Sequence, residues 1–187
     1  MWWSRHSATI GRMSRLGLAL MAAGLVAGCF QPLYGEKSLT GGPGLGDKLG
    51  LVDVMPIDAP NGRPEARLGV EIRNALLFDM NGGPASNPAY RLKINLATTR
   101  QQVIVDIYTT RPDVENYGID ATYNLTEIAT GKVVLTGQTF ARVSYDIPGQ
   151  QQRFARARGL RDAETRAAKV IADQIRSRLA SYFVAGA

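Results

Sequence analysis

The sequence predicts an α+β fold, a two-layer sandwich in which two helices pack on one face of a four-stranded, mostly antiparallel sheet. Three observations carry this prediction. Residues 90–96, 117–126 and 133–147 alternate apolar and polar side chains with a period of two, the pattern of strands with one buried face. Residues 64–80 and 154–184 repeat apolar positions at helical spacing. A short apolar run at 51–57 precedes the first helix, so the element order is β-α-β-β-β-α. Stacking both amphipathic helices on one sheet face buries every stripe and leaves the other face polar.

Taken in order, Leu51-Val52-Asp53-Val54-Met55-Pro56-Ile57 reads as the first strand, with Pro56 near its end or at a sheet edge. Two prolines with Asn61 and Gly62 make 58–64 a loop. Pro64 suits a first helical turn, Glu65 favours the positive end of the helix dipole, and Leu68, Ile72, Ala75 and Leu76 share a face. Asn81-Gly82-Gly83-Pro84 stops that helix. In the next strand Tyr90, Leu92, Ile94 and Leu96 face inward, with Arg91, Lys93 and Asn95 outward. Thr109 to Asp113 reads as the tip of a long hairpin. Tyr117, Ile119, Ala121, Tyr123 and Leu125 repeat the inward pattern. After a turn at 129–132, so do Val133, Leu135, Thr139, Ala141, Val143, Tyr145 and Ile147. Pro148-Gly149 ends the sheet. The last helix puts Leu160, Ala163, Ala167, Val170, Ile171, Ile175, Leu179 and Tyr182 on one side.

The N-terminus carries a different message. Arg5, Arg12 and Arg15 precede an apolar run from Leu16 to Ala27, and no acidic residue occurs in positions 1–28. The run has the length of a secretory core and is too short to span a bilayer. It ends in Leu25-Val26-Ala27-Gly28-Cys29, which reads as a bacterial lipoprotein signal, with Met13 as an alternative start. Small side chains fit the cleavage pocket, the Cys29 thiol takes a diacylglyceryl group, and cleavage between Gly28 and Cys29 leaves an acylated first residue. One fatty chain holds a protein only marginally, whereas two or more give durable anchoring. Phe30 follows in place of the Asp that retains such proteins at the inner membrane, which points to the outer membrane. The domain organisation is then a signal peptide over 1–28, a lipidated flexible tether over 29–50, Gly-rich from 36, and a single α+β domain over 51–187.

Composition excludes several chemistries. After removal of 28 residues the chain keeps 159, enough for one domain with its own core. Its only His, His6, and three of its basic residues go with the signal, so the formal charge falls from +6 to +3. That leaves no strong nucleic-acid footprint. With no mature His and no free thiol, His-dependent triads and His-based zinc sites cannot be built. One Cys makes no internal disulfide. The Gly-rich stretch 41–50 has neither the preceding strand nor the Gly-Lys-Ser/Thr of a phosphate loop. Asp58/Glu65 and Asp162/Glu164 are close carboxylate pairs without an apolar setting, and they read as solvated surface charge. The sequence therefore predicts no enzyme, no catalytic residue, no metal and no cofactor.

A binding or assembly role remains. Arg91 and Lys93 on a strand face, Arg111 at the hairpin tip, and Arg156 and Arg158 at the start of the last helix offer donors to an anion. Arginine grips phosphate through a paired fork. Cations at a helix N-terminus oppose the dipole, which favours a ligand role there.

At the acylation site, Gly28-Cys29-Phe30-Gln31-Pro32-Leu33-Tyr34-Gly35 resembles the lipopolysaccharide-assembly lipoprotein family of Gram-negative outer membranes, in its alphaproteobacterial form. Arg67 through Arg73-Asn74-Ala75-Leu76-Leu77, Tyr117 through Thr126, and Ala163 through Leu179 match it as patterns. The resemblance implies a non-enzymatic protein that plugs and helps assemble a large outer-membrane β-barrel for lipopolysaccharide transport, and that binds lipopolysaccharide directly. It implies binding roles for Arg111 and Arg156. The chain departs from the enterobacterial form in Pro112-Asp113 after the basic residue and in lacking a long polar tail. The expected partners are thus the barrel, lipopolysaccharide, and the periplasmic side of the outer membrane through the acyl chains.

Two other classes stay open. One is an auxiliary lipoprotein of a lipid-transport ATPase or another envelope-assembly complex, separated by its co-purifying partner. The other is a hydrolase working through carboxylates alone, which needs two acids converging in a cleft.

Overall fold

The computed structural model describes residues 43–60, 62–104, 112–147 and 153–185. The signal, Cys29, the first part of the tether, Arg111 with the hairpin tip, and Pro148-Gly149 lie outside the described residues. In chain order the elements are α1 (Leu45–Leu49), β1 (Val52–Val54), α2 (Pro64–Asn81), β2 (Tyr90–Ile104), β3 (Pro112–Glu127), β4 (Val133–Asp146) and α3 (Arg153–Val184).

The four strands form one sheet in sequence order. β1 runs parallel to β2, as a strand-helix-strand crossover through α2 requires, with Val52 opposite Tyr90 and Val54 opposite Leu92. β2–β3 and β3–β4 are antiparallel, with Leu92 opposite Leu125, Tyr117 opposite Val143, and Ala121 opposite Thr139. The α+β sandwich read from the alternation is the fold observed. Leu92, Ile94, Tyr117, Ile119, Ala121, Tyr123 and Leu125 are buried with Leu68, Ile72 and Leu76 of α2 and Ala167, Ile171, Ile175 and Leu179 of α3. Gly82 ends α2 in the left-handed region at φ 67°, its N–H donating to the Phe78 carbonyl at 3.1 Å. The short edge strand β1 is capped from the side, where Arg73 Nε donates to the Val54 carbonyl oxygen at 2.9 Å.

Two stretches differ from the sequence reading. Residues 45–49, expected within the tether, form a helical turn. The Gly44 N–H donates to the Asp47 carboxylate at 3.1 Å, Leu45 and Leu49 are buried, and Lys48 Nζ donates to the Phe183 carbonyl at 3.0 Å. Two leucines four residues apart supply one apolar face, and flanking glycines conceal it in the composition. The central hairpin is also longer than the apolar alternation. β2 continues to Ile104 and β3 starts at Pro112, with a register shift between Val103 and Ile104.

Tyr123 lies opposite Gly137 in the register and lays its ring over that glycine, where a Cβ would collide with the ring carbons and hydroxyl. Gly137→Val is expected to lower unfolding free energy by about 1–3 kcal/mol in urea titration, the usual cost of overpacking. Adding Tyr123→Leu should recover part of that loss; equal stability of Gly137→Val and the parent would refute the packing.

Candidate functional site

Among the described residues, the predicted anion-binding pair Arg91 and Lys93 does not converge with Arg156. Arg91 and Lys93 are exposed on the sheet face away from the helices, near the start of β2, with Thr126 and Asn124 as cross-strand neighbours. Arg156 projects from the first turns of α3 toward the other end of the sheet, where its Nη2 lies 3.7 Å from Glu115 Oε2. Glu115 pairs in register with Gln102, eleven residues along β2 from Arg91, a span of about 35 Å at strand rise. The two groups also lie on opposite faces of the sheet. They cannot hold one headgroup together.

The structure instead assembles a charged cluster between the sheet and the two long helices, toward the hairpin end. Glu164 sits in the buried stripe of α3, its side chain only 5% exposed. Arg67 of α2 donates to Glu164 Oε2, and Arg100 of β2 approaches Oε1 at 3.9 Å. Arg67 also pairs with Glu71 at 2.9 Å, one turn along its own helix. The Arg100 guanidinium lies over the Tyr117 ring, 5.9 Å from its centre. Beside it, the Tyr145 hydroxyl donates to the buried Glu115 carboxylate. The Thr98 hydroxyl donates to Glu65, and this bond chiefly holds the Glu65 carboxyl below its usual range.

The surface-charge reading of Asp162/Glu164 therefore holds only for Asp162, which makes an exposed pair with Arg166 at 2.7 Å. Glu164 is buried because it lies between Ala163 and Ala167 in the stripe that meets the sheet, and two guanidinium groups replace its water. Glu65 likewise is hydrogen-bonded across to β2. Reading Arg100, Glu115 and Glu164 in phase with the apolar positions around them would have exposed this cluster in the sequence.

Burial, reinforced by the Glu164 charge, pushes Tyr117 up to about 12. Burial and the bond to Glu115 do the same for Tyr145. An open groove of about 410 Å³ lies between the starts of α2 and α3, lined by Arg63, Arg67, Leu160, Arg161 and Glu164. It carries one carboxylate, not the opposed pair that carboxylate hydrolysis needs, and that carboxylate is committed to arginines. Among the described residues no group of three or more metal-ligating side chains occurs. Nor is any described helix long and apolar enough to cross a membrane.

The outer sheet face is largely polar and internally tied, with Phe140 exposed on it beneath the Arg142 guanidinium. Arg142 grips Asp120 through both carboxylate oxygens at 2.9 and 3.0 Å, and Ser144 donates to Asn116 at 2.7 Å. Gly118 is required between these strands, since a Cβ there would meet Thr99 and the Arg142 side chain.

Comparison with known proteins follows the same architecture. The profile of one family, Lipopolysaccharide-assembly (LptE), matches residues 51–179, from just before β1 into the last turns of α3. A lipoprotein from Caulobacter crescentus CB15 superposes with a TM-score of 0.60 at 19% identity, covering 76% of this chain and 97% of its own. Lipoprotein B from Nitrosomonas europaea gives 0.54 at 13% identity, covering 72% and 84%. Rare lipoprotein B from Shewanella oneidensis gives 0.52 at 14% identity, covering 71% and 96%. At such identities these likenesses establish the fold alone. Comparison with curated protein sequences yields no match.

Two outcomes follow from the cluster. Glu164→Ala should cost about 1–3 kcal/mol in chemical denaturation, because it strands hydrogen bonds to charged groups. Asp162→Ala, in an exposed pair, should cost under about 0.5 kcal/mol; equal costs would refute the distinction. In alkali, Tyr117 and Tyr145 bind their protons more tightly folded than unfolded. Their contribution is complete below about pH 10 and is lost as pH rises toward 12. Tyrosinate absorbance should show two late-titrating groups whose ionisation accompanies unfolding, and their loss in Tyr117→Phe and Tyr145→Phe checks the assignment.

Proposed function

The chain belongs to the lipopolysaccharide-assembly (LptE) family, and from that membership we propose that it is a lipid-anchored plug and assembly partner of the outer-membrane β-barrel that delivers lipopolysaccharide to the cell surface. Membership carries the coarser role in lipopolysaccharide assembly at the outer membrane, in a family of non-enzymatic lipoproteins. The observation that best supports the finer reading is the match through every element from β1 to α3, on a domain whose sheet turns one polar face outward.

In this reading Cys29 carries acyl chains in the inner leaflet of the outer membrane, and the segment after it lets the domain enter the barrel lumen. The outer sheet face, with Asn95, Thr122, Asn124 and Gln138, exchanges water for polar groups of the lumen wall. Polar groups of this kind suit a wet wall, where bridging waters cost little. Arg111 at the hairpin tip meets lipopolysaccharide phosphates, with Arg91 and Lys93 as a second, separate set of donors. Arg156 contributes less, because Glu115 already neutralises part of its charge.

Affinity purification from outer membranes is expected to bring down a large β-barrel protein in stoichiometric amount. Recovery of an inner-membrane transport ATPase in its place would assign the chain to a different envelope complex. Cys29→Ser should abolish the acyl mass and release the protein from the membrane fraction. Arg111→Glu should weaken lipopolysaccharide capture and lower its salt dependence, whereas unaltered capture would reject that site while leaving the barrel partnership standing.

A further inference from the structure

Among the described residues, five of the nine exposed large apolar side chains, Leu51, Phe78, Ile128, Val133 and Val184, lie toward one end of the domain, while Val70, Phe140, Phe154 and Val170 lie elsewhere. The Leu51 carbonyl accepts the N–H groups of Ala89 and Tyr90 at 2.9 and 3.2 Å, and the Ala89 carbonyl accepts from Ile128 at 2.9 Å. These bonds set Leu51 and Ile128 on either side of Ala89, two strand spacings apart at the same end of the sheet. Val133 follows from the same β3–β4 turn, which is closed by Glu127 N–H donating to the Lys132 carbonyl at 2.9 Å. The Tyr90 ring packs edge-on against Phe183 at 5.2 Å, bringing the last turn of α3 and Val184 to this end. α2 returns the chain to the start of β2, so Phe78 in its last turns belongs here too. Phe78 is 78% exposed, Val184 58% and Val133 56%, with Leu51 and Ile128 also open to solvent. Surfaces of this kind mark contacts.

The described chain also begins at this end. Pro43 leads into α1, which Lys48 ties to the Phe183 carbonyl, and only thirteen residues lie between it and Cys29. A coil of that length spans about 20 Å, and fully extended about 50 Å. Given the acyl anchor of the reading above, on which this step rests, the apolar end is held within a short reach of the lipid surface.

We propose that the rim formed by Leu51, Phe78, Ile128, Val133 and Val184 docks on the bilayer surface beside the acyl chains. It holds the lipidated protein upright on the inner leaflet before it meets its barrel. The opposite end, with α3's first turns and the hairpin, then points away from the membrane. Apolar insertion of the rim side chains, not charge, provides the grip. Docked side chains of this sort sit about 5–10 Å deep, at the boundary of headgroups and acyl chains.

Both tryptophans, Trp2 and Trp3, lie in the signal, so the mature chain has none and single substitutions serve as reporters. The acylated full-length mature protein is reconstituted on vesicles of phosphatidylethanolamine and phosphatidylglycerol with chains brominated near the headgroup. Phe78→Trp, Val133→Trp and Val184→Trp are compared with Phe154→Trp, whose position at the start of α3 is 90% exposed. The three rim variants should show blue-shifted emission and strong bromine quenching that persists in high salt, with Phe154→Trp unquenched. Unquenched rim variants on protein that still floats with the vesicles would overturn the docking and spare the anchor, leaving the rim to a protein partner. Equal quenching of all four would overturn the orientation. Protein that carries acyl mass yet leaves the vesicles would overturn docking, and protein without acyl mass would overturn the anchor reading with it.

Discussion

The domain depends on how closely helix α3 can approach its neighbours. It is the one element that packs against β3, β4, α1 and α2 together. Its buried stripe is made largely of alanine, with Ala163, Ala167, Ala168, Ala172 and Ala180, punctuated by Ile171, Ile175 and Leu179. Small side chains bring the helix axis near the sheet, and the larger ones fill the gaps between strands; interiors reach close packing in this way. Close approach also means that any polar group in the stripe is cut off from water. Glu164 is that group, and Arg67 from the neighbouring helix and Arg100 from the sheet below meet it. One carboxylate thus fixes the relative placement of α2, α3 and β2, a specificity that apolar contact alone, being non-directional, supplies less sharply.

This arrangement explains which parts of the fold were legible in the sequence. The near half of the sheet, from Tyr90 to Leu96 and from Ala121 to Leu125, is roofed by aliphatic side chains, and its alternation can be read directly. The far half is roofed by charge. Thr98, Arg100 and Glu115 occupy inward positions there, so the same strand geometry carries no hydrophobic signal, and β2 and β3 run past the point where the pattern fades. The helix at 45–49 was hidden for a related reason, since its order comes from tertiary contact through Leu45, Leu49 and Lys48, not from local propensity. Of the predicted site, the sequence places Arg91 and Lys93 on the polar face correctly. Their separation from Arg156 is a tertiary fact that no local spacing contains. Glu164 was misread as surface charge because its nearest acidic neighbour, Asp162, is solvated, although two residues along a helix is a turn of about 200°.

Stability is graded along the sheet as a consequence. Aliphatic burial around Leu76, Leu92, Leu125 and Leu179 holds the end where α1 and the start of β1 lie. Ion pairs whose guanidinium groups keep part of their hydration hold the hairpin end, and such pairs bind less firmly than buried apolar surface. Opening at the hairpin end exposes little apolar area, so it is the cheaper place for the fold to yield. A protein that must adapt to a partner gains from keeping that compliance at one end while the other stays rigid.

The same gradient gives the domain a polarity that a uniform sandwich lacks. Rim residues such as Phe78 and Val133 belong at the rigid end, where an inserted side chain transmits a fixed orientation to the whole sheet. The ion pairs of buried carboxylates lie at the other end, where Arg67 and Arg100 meet Glu164 and Arg156 meets Glu115. An acyl chain alone fixes distance from the membrane but not direction. Direction requires a second contact that is apolar, off the axis of attachment, and carried by the stiff part of the fold. Leu51 just before β1, Ile128 just after β3 and Val184 at the end of α3 are tied to this end through Ala89, Tyr90 and Phe183, and meet those three conditions together.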